Sequence, residues 1–167
     1  MSQSLLVRQR VTRRFWLPFA GLLVLCLAVG ALGGAVTATS VTGWYQTLSK
    51  PSFNPPDWLF APVWTTLFVL MALAAALVWQ NGRGRERRAA ITWFLAQLAV
   101  NLAWPCLFFG LQAIGMALAC LIVLWAFVAA TALHFWAVDP RAGLLMIPYI
   151  GWVSFAGLLN FVIWRLN

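Results

Sequence analysis

The sequence predicts an all-α integral membrane protein: a five-transmembrane-helix bundle with a long outer loop between its first and second helices. Two observations carry that expectation. Of the 167 residues, 63% are hydrophobic and only 8% charged, against about 25% charged in an ordinary soluble domain. Too few charges are present to coat a water-soluble globule. In addition, five runs (16–39, 62–80, 89–109, 114–136 and 142–164) contain no Asp, Glu, Lys or Arg, and each approaches the ~20 apolar residues that cross a bilayer. Together they take about two thirds of the chain. That leaves room for one transmembrane domain, 16–167, behind a basic N-terminal extension, 1–15.

The extension carries Arg8, Arg10, Arg13 and Arg14. Arg13-Arg14 ahead of an apolar run resembles an export signal, but the run outlasts a signal core of 7–15 residues and has no clear small-residue cleavage site. A retained first helix is expected. Basic residues also fix the orientation: Arg83, Arg85, Arg87, Arg88 and Arg141 fall on the side of the four N-terminal arginines, while Lys50 and Arg165 fall on the other. This bias puts the N-terminus in the cytoplasm and the C-terminus outside, on the periplasmic side. The net charge of +8 is therefore a topology signal, and nucleic-acid binding is not expected. Gly30 and Gly34 in the first span form a GxxxG pair, and Ala96, Ala99 and Ala103 in the third are also small. Both faces allow close helix approach, within the bundle or in a homodimer.

The loop 40–61 is longer than most connections in compact proteins. It holds Trp44, Tyr45, Phe53, Trp58 and Phe60 together with Pro51, Pro55 and Pro56, so its composition is not that of a disordered segment. The prolines favour extended backbone. Its aromatics suit a lid over the outer mouth of the bundle or an interfacial aromatic belt.

Acid–base, nucleophilic and metal chemistry find little support. Asp57, Glu86 and Asp139 are the only carboxylates, and all lie in loops. Cys26, Cys106 and Cys120 show no paired spacing. His134 has no second ligand at a metal-binding spacing and sits near the end of its span, where an interfacial role suits it better than haem ligation. No metal site is expected. Without an internal repeat or a membrane-embedded carboxylate, no device for coupled transport is evident.

Helical spacing gives the positive signal. In the third span Gln97, Asn101, Trp104 and Phe108 share one face, and Pro105 must leave a backbone acceptor unpaired beside them. In the fifth span Tyr149, Trp152, Ala156 and Asn160 form a similar stripe, interrupted by Pro148; in the second, Trp64, Phe68 and Met71 share a face. Each stripe by itself fits helix–helix packing and hydrogen bonding. Jointly they describe a pocket lined by aromatics with a few orienting polar groups, suited to a flat, large, hydrophobic ligand that stacks on indoles.

Three stretches carry a resemblance. They are Gly43-Trp44-Tyr45 through Lys50-Pro51-Ser52-Phe53-Asn54-Pro55-Pro56 to Trp58, Phe60, Pro62 and Trp64; Gln97-Leu98-Ala99 with Asn101, Ala103-Trp104-Pro105 and Phe108-Phe109-Gly110; and Pro148-Tyr149 with Trp152, Leu159-Asn160 and Trp164-Arg165. The chain resembles the translocator protein family, also called tryptophan-rich sensory proteins or peripheral-type benzodiazepine receptors, in its bacterial form. The resemblance implies a commonly dimeric five-helix bundle that binds porphyrins such as protoporphyrin IX, with a sensing or stress-response role. It carries no covalent cofactor. By motif position it implies that Trp64 and Trp152 are pocket tryptophans, implicated in light-dependent porphyrin degradation. Asn101 and Trp104 would be wall residues, and Trp44, Tyr45 and Phe53 lid residues. The stretch Leu159 to Arg165 lacks the tyrosine of the sterol motif found in animal relatives, so sterol binding by that route is unsupported. Three functions follow: a porphyrin receptor or sensor, a tryptophan-mediated photo-oxidant of porphyrin, and a carrier of porphyrins or other lipophiles.

Overall fold

The computed structural model describes the backbone of residues 2–167 and the side chains of residues 15–167. Its regular structure, among these residues, is helical: α1 (Ser2–Ala38), α2 (Trp44–Thr47), a 3-10 turn (Asp57–Leu59), α3 (Phe60–Asn81), α4 (Gly84–Pro105), α5 (Ile114–Val138), α6 (Pro140–Leu145) and α7 (Ile147–Leu166). Among the described residues, five segments are long and apolar enough to cross a bilayer, namely Phe15–Ala38, Asp57–Asn81, Gly84–Gly110, Ile114–Val138 and Pro140–Leu166. They coincide with the five expected spans to within a few residues. The side chains of Arg8, Arg10, Arg13 and Arg14 lie outside the described residues.

Helices in a bilayer gain little from hiding apolar surface from one another, so they associate through close backbone approach and hydrogen bonds. Helix α3 follows this rule: Ala72, Ala74, Ala75 and Ala76 are fully buried. It packs against α1, α4, α5 and α6. Helix α1 also meets α4, α4 packs on α5, and α5 on α6 and α7. From residue 15 onward α1 buries only Cys26, so this helix is held on one narrow face.

Local chemistry sets the breaks. Gly84 takes φ +51° after Arg83, a left-handed conformation that glycine adopts at little cost, and α4 begins there. Asp139 caps α6 by accepting from the Arg141 backbone N–H at 2.9 Å, with Pro140 at the first helical position. Asn81 Nδ2 also donates to Asp139 at 2.6 Å, tying the end of α3 to the start of α6. The fifth span is read above as one apolar run, but its helix is interrupted at Met146, two residues before Pro148. Proline has no N–H to donate to residue 144 and is tolerated in the first turn of a new helix. Pro105 has a different outcome. Helix α4 does not simply bend there: it widens into a π-turn over Cys106–Gly110, a feature frequent at functional sites.

Candidate functional site

The π-turn builds one wall of a cavity. Its wider winding lets the adjacent Phe108 and Phe109 both point inward, 2% and 7% exposed, and their rings meet edge to face at 4.9 Å. Trp104, one turn earlier, stacks on Phe108 at 5.4 Å and 28°. On the opposite side Trp64 leans on Phe68 at 5.6 Å. Between these walls lies a cavity of about 680 Å³, in the lid-end halves of α1, α3, α4 and α7. Its size falls within the 300–1,000 Å³ of small-molecule sites.

Several polar groups of the site are already committed. Trp104 Nε1 donates to Asn160 Oδ1 at 3.2 Å, and Asn160 Nδ2 donates to the Ile114 carbonyl at 3.0 Å. Asn101 Nδ2 donates to the Tyr149 hydroxyl at 2.7 Å, which donates to Gln97 Oε1 at 3.0 Å. Gln97 Nε2 ends the chain on Met71 Sδ at 3.6 Å. Thr37 and Thr65 bond carbonyls of their own helices. No buried side-chain nitrogen or oxygen among the described residues lacks a partner. Bonds of this kind fix rotamers, and an indole held by its N–H offers a ligand only its face. Among the described residues Asn101 Oδ1 makes no such bond and belongs to a lining residue, so it can accept from a ligand donor.

The segment 40–61 is folded against this cavity. Tyr45 is 4% exposed and packs on Phe108 and Phe109 at 6.2 and 5.6 Å. Its hydroxyl donates to Asn54 Oδ1 at 3.0 Å. Burial pushes the Tyr45 phenol above its ordinary value; the Asp57 charge adds to the rise and the Asn54 bond opposes it. Ser40 Oγ donates to the Phe109 carbonyl at 2.8 Å. The middle is held by Asn167, whose side chain accepts from Ser49 N–H at 2.9 Å and donates to its carbonyl at 3.0 Å. Gln46 Nε2 donates to Asp57 at 2.9 Å, and Lys50 Nζ donates to Gln46 Oε1 at 3.1 Å while sitting 4.1 Å over the Tyr45 ring. Side chains thus pin the segment at Ser40, Tyr45, Gln46, Ser49 and Asp57.

Of the residues singled out above, Tyr45, Trp64, Phe68 and Asn101 line the cavity, as do Trp104, Phe108, Ala156 and Asn160. The other five are placed around it. Gln97 and Tyr149 are buried behind Asn101, in the hydrogen-bond chain. Trp44 packs on Phe108 at 5.6 Å, and Phe53, 45% exposed, on Phe155 at 6.4 Å. Trp152 packs between Phe60 and Phe155 at 5.8 and 5.5 Å. His134 stacks on Trp93 at 5.9 Å, away from the cavity.

Pattern reading passed over other parts of the wall. Phe109 and Leu159 line it, and so does a face of α1 that includes Gly30, Gly33 and Gly34. The glycine spacing did signal a close approach, although not one to a cavity. Trp58 and Asp57, both exposed, mark where the lining reaches the surface.

Comparison with known proteins agrees with this architecture. The model of the TspO/MBR family matches residues 22–165. The "Tryptophan-rich protein TspO" of Chlorobaculum tepidum is 46% identical over 144 residues, covering 86% of this chain and 91% of that protein. The "Tryptophan-rich sensory protein" of Cereibacter sphaeroides is 41% identical over 153 residues, 91% of this chain and 92% of the relative. The bovine "Translocator protein" is 38% identical over 154 residues, 91% of each.

Proposed function

The chain belongs to the TspO/MBR family, and from that premise we propose that this multi-pass membrane protein is a receptor or sensor for porphyrins and related flat hydrophobic molecules. The observation that carries the reading is the aromatic cavity itself: about 680 Å³, with Trp64 and Phe68 on one side and Trp104 and Phe108 on the other. The Trp104 indole N–H is already bonded to Asn160 before any ligand arrives. A ligand that offers ring faces and apolar area gains from such walls, whereas a small polar molecule would lose its hydration for nothing. The name of one relative, "Tryptophan-rich sensory protein", fits a sensing role.

In this proposal the N-terminus is cytoplasmic and the lid end faces outside, as the arginine distribution indicates. The bundle pairs with a second copy, and chemical cross-linking in lipid discs at low protein occupancy checks this. The ligand reading is tested by titrating the purified protein with protoporphyrin IX and following the shift of the porphyrin Soret band. Saturation in wild type that weakens in Trp64→Phe and in Trp104→Phe, but not in the lipid-facing Trp125→Phe, is the expected result. Saturation equally strong in all four proteins would exclude the cavity as the binding place.

A further inference from the structure

Charge at the cavity mouth has a sign that ring stacking does not explain. Among the residues that line the cavity, the one carrying a formal charge at neutral pH is Asp57. The described cations of this end of the bundle, Lys50 and Arg165, are not part of the lining. Lys50 is held back from it: its ammonium donates to Gln46 Oε1 and lies 4.1 Å above the Tyr45 ring. Asp57 is exposed at the start of the 3-10 turn, and one of its carboxylate oxygens accepts from Gln46 Nε2 at 2.9 Å. A single amide hydrogen bond does not neutralise a carboxylate. The surrounding wall is apolar, and beside a low-dielectric surface a charge is felt more strongly than in bulk water.

We infer that Asp57 sets the charge preference of this site, so that the cavity takes cationic or uncharged planar ligands in preference to carboxylate-bearing ones built on the same ring. The inference deepens the receptor reading above and rests on it. For a porphyrin with two propionates the consequence is geometric. The macrocycle enters ring-first, and its acidic edge stays outside Asp57, where the Lys50 ammonium is the cation at hand. Esters and amines of the same macrocycle carry no such restriction and bind more tightly.

The test uses three probes that share one flat ring and differ in charge: 1-pyrenebutylamine, 1-pyrenebutanol and 1-pyrenebutyric acid. Full-length protein in phosphatidylcholine discs is titrated with each, reading energy transfer from tryptophan to pyrene, with empty discs correcting for partition into lipid. In wild type the amine is expected to bind about fivefold tighter than the acid in low salt, the scale of one nearby charge near water, and the gap should shrink in 0.5 M salt as screening tightens. Asp57→Asn keeps an acceptor for Gln46, and it should pull the amine and the acid toward the alcohol from opposite sides. An amine-to-acid ratio that is unchanged by Asp57→Asn, or that favours the acid in wild type, overturns the inference while leaving the cavity as a binding site. If none of the three probes saturates, the inference and the receptor reading fail together.

Discussion

Gly30 on α1 faces the ring of Phe68 on α3 so closely that a Cβ added at Gly30 would stand 2.6 Å from Phe68 Cε2. That contact fixes how far α1 stands from the rest of the bundle, and hence the width of the cavity. Phe68 is itself buried and backed by Trp64 at 5.6 Å, so its ring has little room to retreat. Gly34, one turn on, has nothing within 4 Å of such a Cβ. Gly30→Ala is therefore expected to cost about 1–3 kcal/mol, the usual penalty of overpacking, and Gly34→Ala far less. Thermal unfolding in detergent measures both. Recovery of stability in Gly30→Ala with Phe68→Leu would identify the ring as the obstacle.

Tyr149→Phe removes the hydroxyl that joins Asn101 to Gln97. Two buried amides then lose a partner inside the bundle. Hydrogen bonds between membrane helices are each worth about 0.6–1.7 kcal/mol, so a loss of roughly 1–3 kcal/mol is expected. A loss no greater than that of Trp125→Phe, which removes an exposed bond to Ser154, would show that the chain of bonds contributes nothing beyond its surroundings.

Trp64 lines the cavity and Trp152 does not. Aromatic contacts contribute about 0.5–1.5 kcal/mol beyond area, so Trp64→Phe should weaken porphyrin binding roughly two- to tenfold, and Trp152→Phe by less than about twofold. The same pair examines photochemistry. An indole that exchanges electrons with bound porphyrin must lie against the ring, so loss of the Soret band in light should slow in Trp64→Phe and not in Trp152→Phe.

The lid has a pH signature. Because the Tyr45 phenol is raised above its ordinary 10.0 by burial and by Asp57, the folded state holds that proton more tightly than the unfolded chain. Its contribution is complete below about pH 10 and is lost as pH climbs through the raised value. The difference in Tm between wild type and Tyr45→Phe should narrow above pH 10; a constant difference from pH 8 to 11 would mean that the phenol does not titrate in the docked lid.

The sequence carried the spans and the aromatic stripes because their chemistry repeats at helical spacing. Apolar runs without charge gave all five spans to within a few residues, and the 97–101–104–108 stripe gave most of one wall. What escaped has physical causes. Pro105 could be expected to cost its helix a hydrogen bond to the Asn101 carbonyl, but whether a helix answers by kinking or by widening depends on its packing partners, and the widened turn is what brings Phe109 inward beside Phe108. Helix α1 contributes walls through what its glycines lack, so no side chain advertises them. On α7, at about 100° per residue, Trp152 lies about 60° from Tyr149 and about 80° from Asn160, at the edge of the stripe, and Phe60 captures it there. Gln97 lies within about 40° of Asn101 around the helix but sits a turn deeper, where Tyr149 seals it off. A stripe gives direction around a helix; it does not give depth.

The most direct measurement is a structure of the protein in a lipid disc with protoporphyrin bound. The expected result is a macrocycle inside the cavity between α1, α3, α4 and α7, with its faces against Trp64 and Trp104 and the segment 40–61 still closed over it. A macrocycle lying on the lipid-facing surface, with the cavity between those helices unchanged and unoccupied, would contradict that reading.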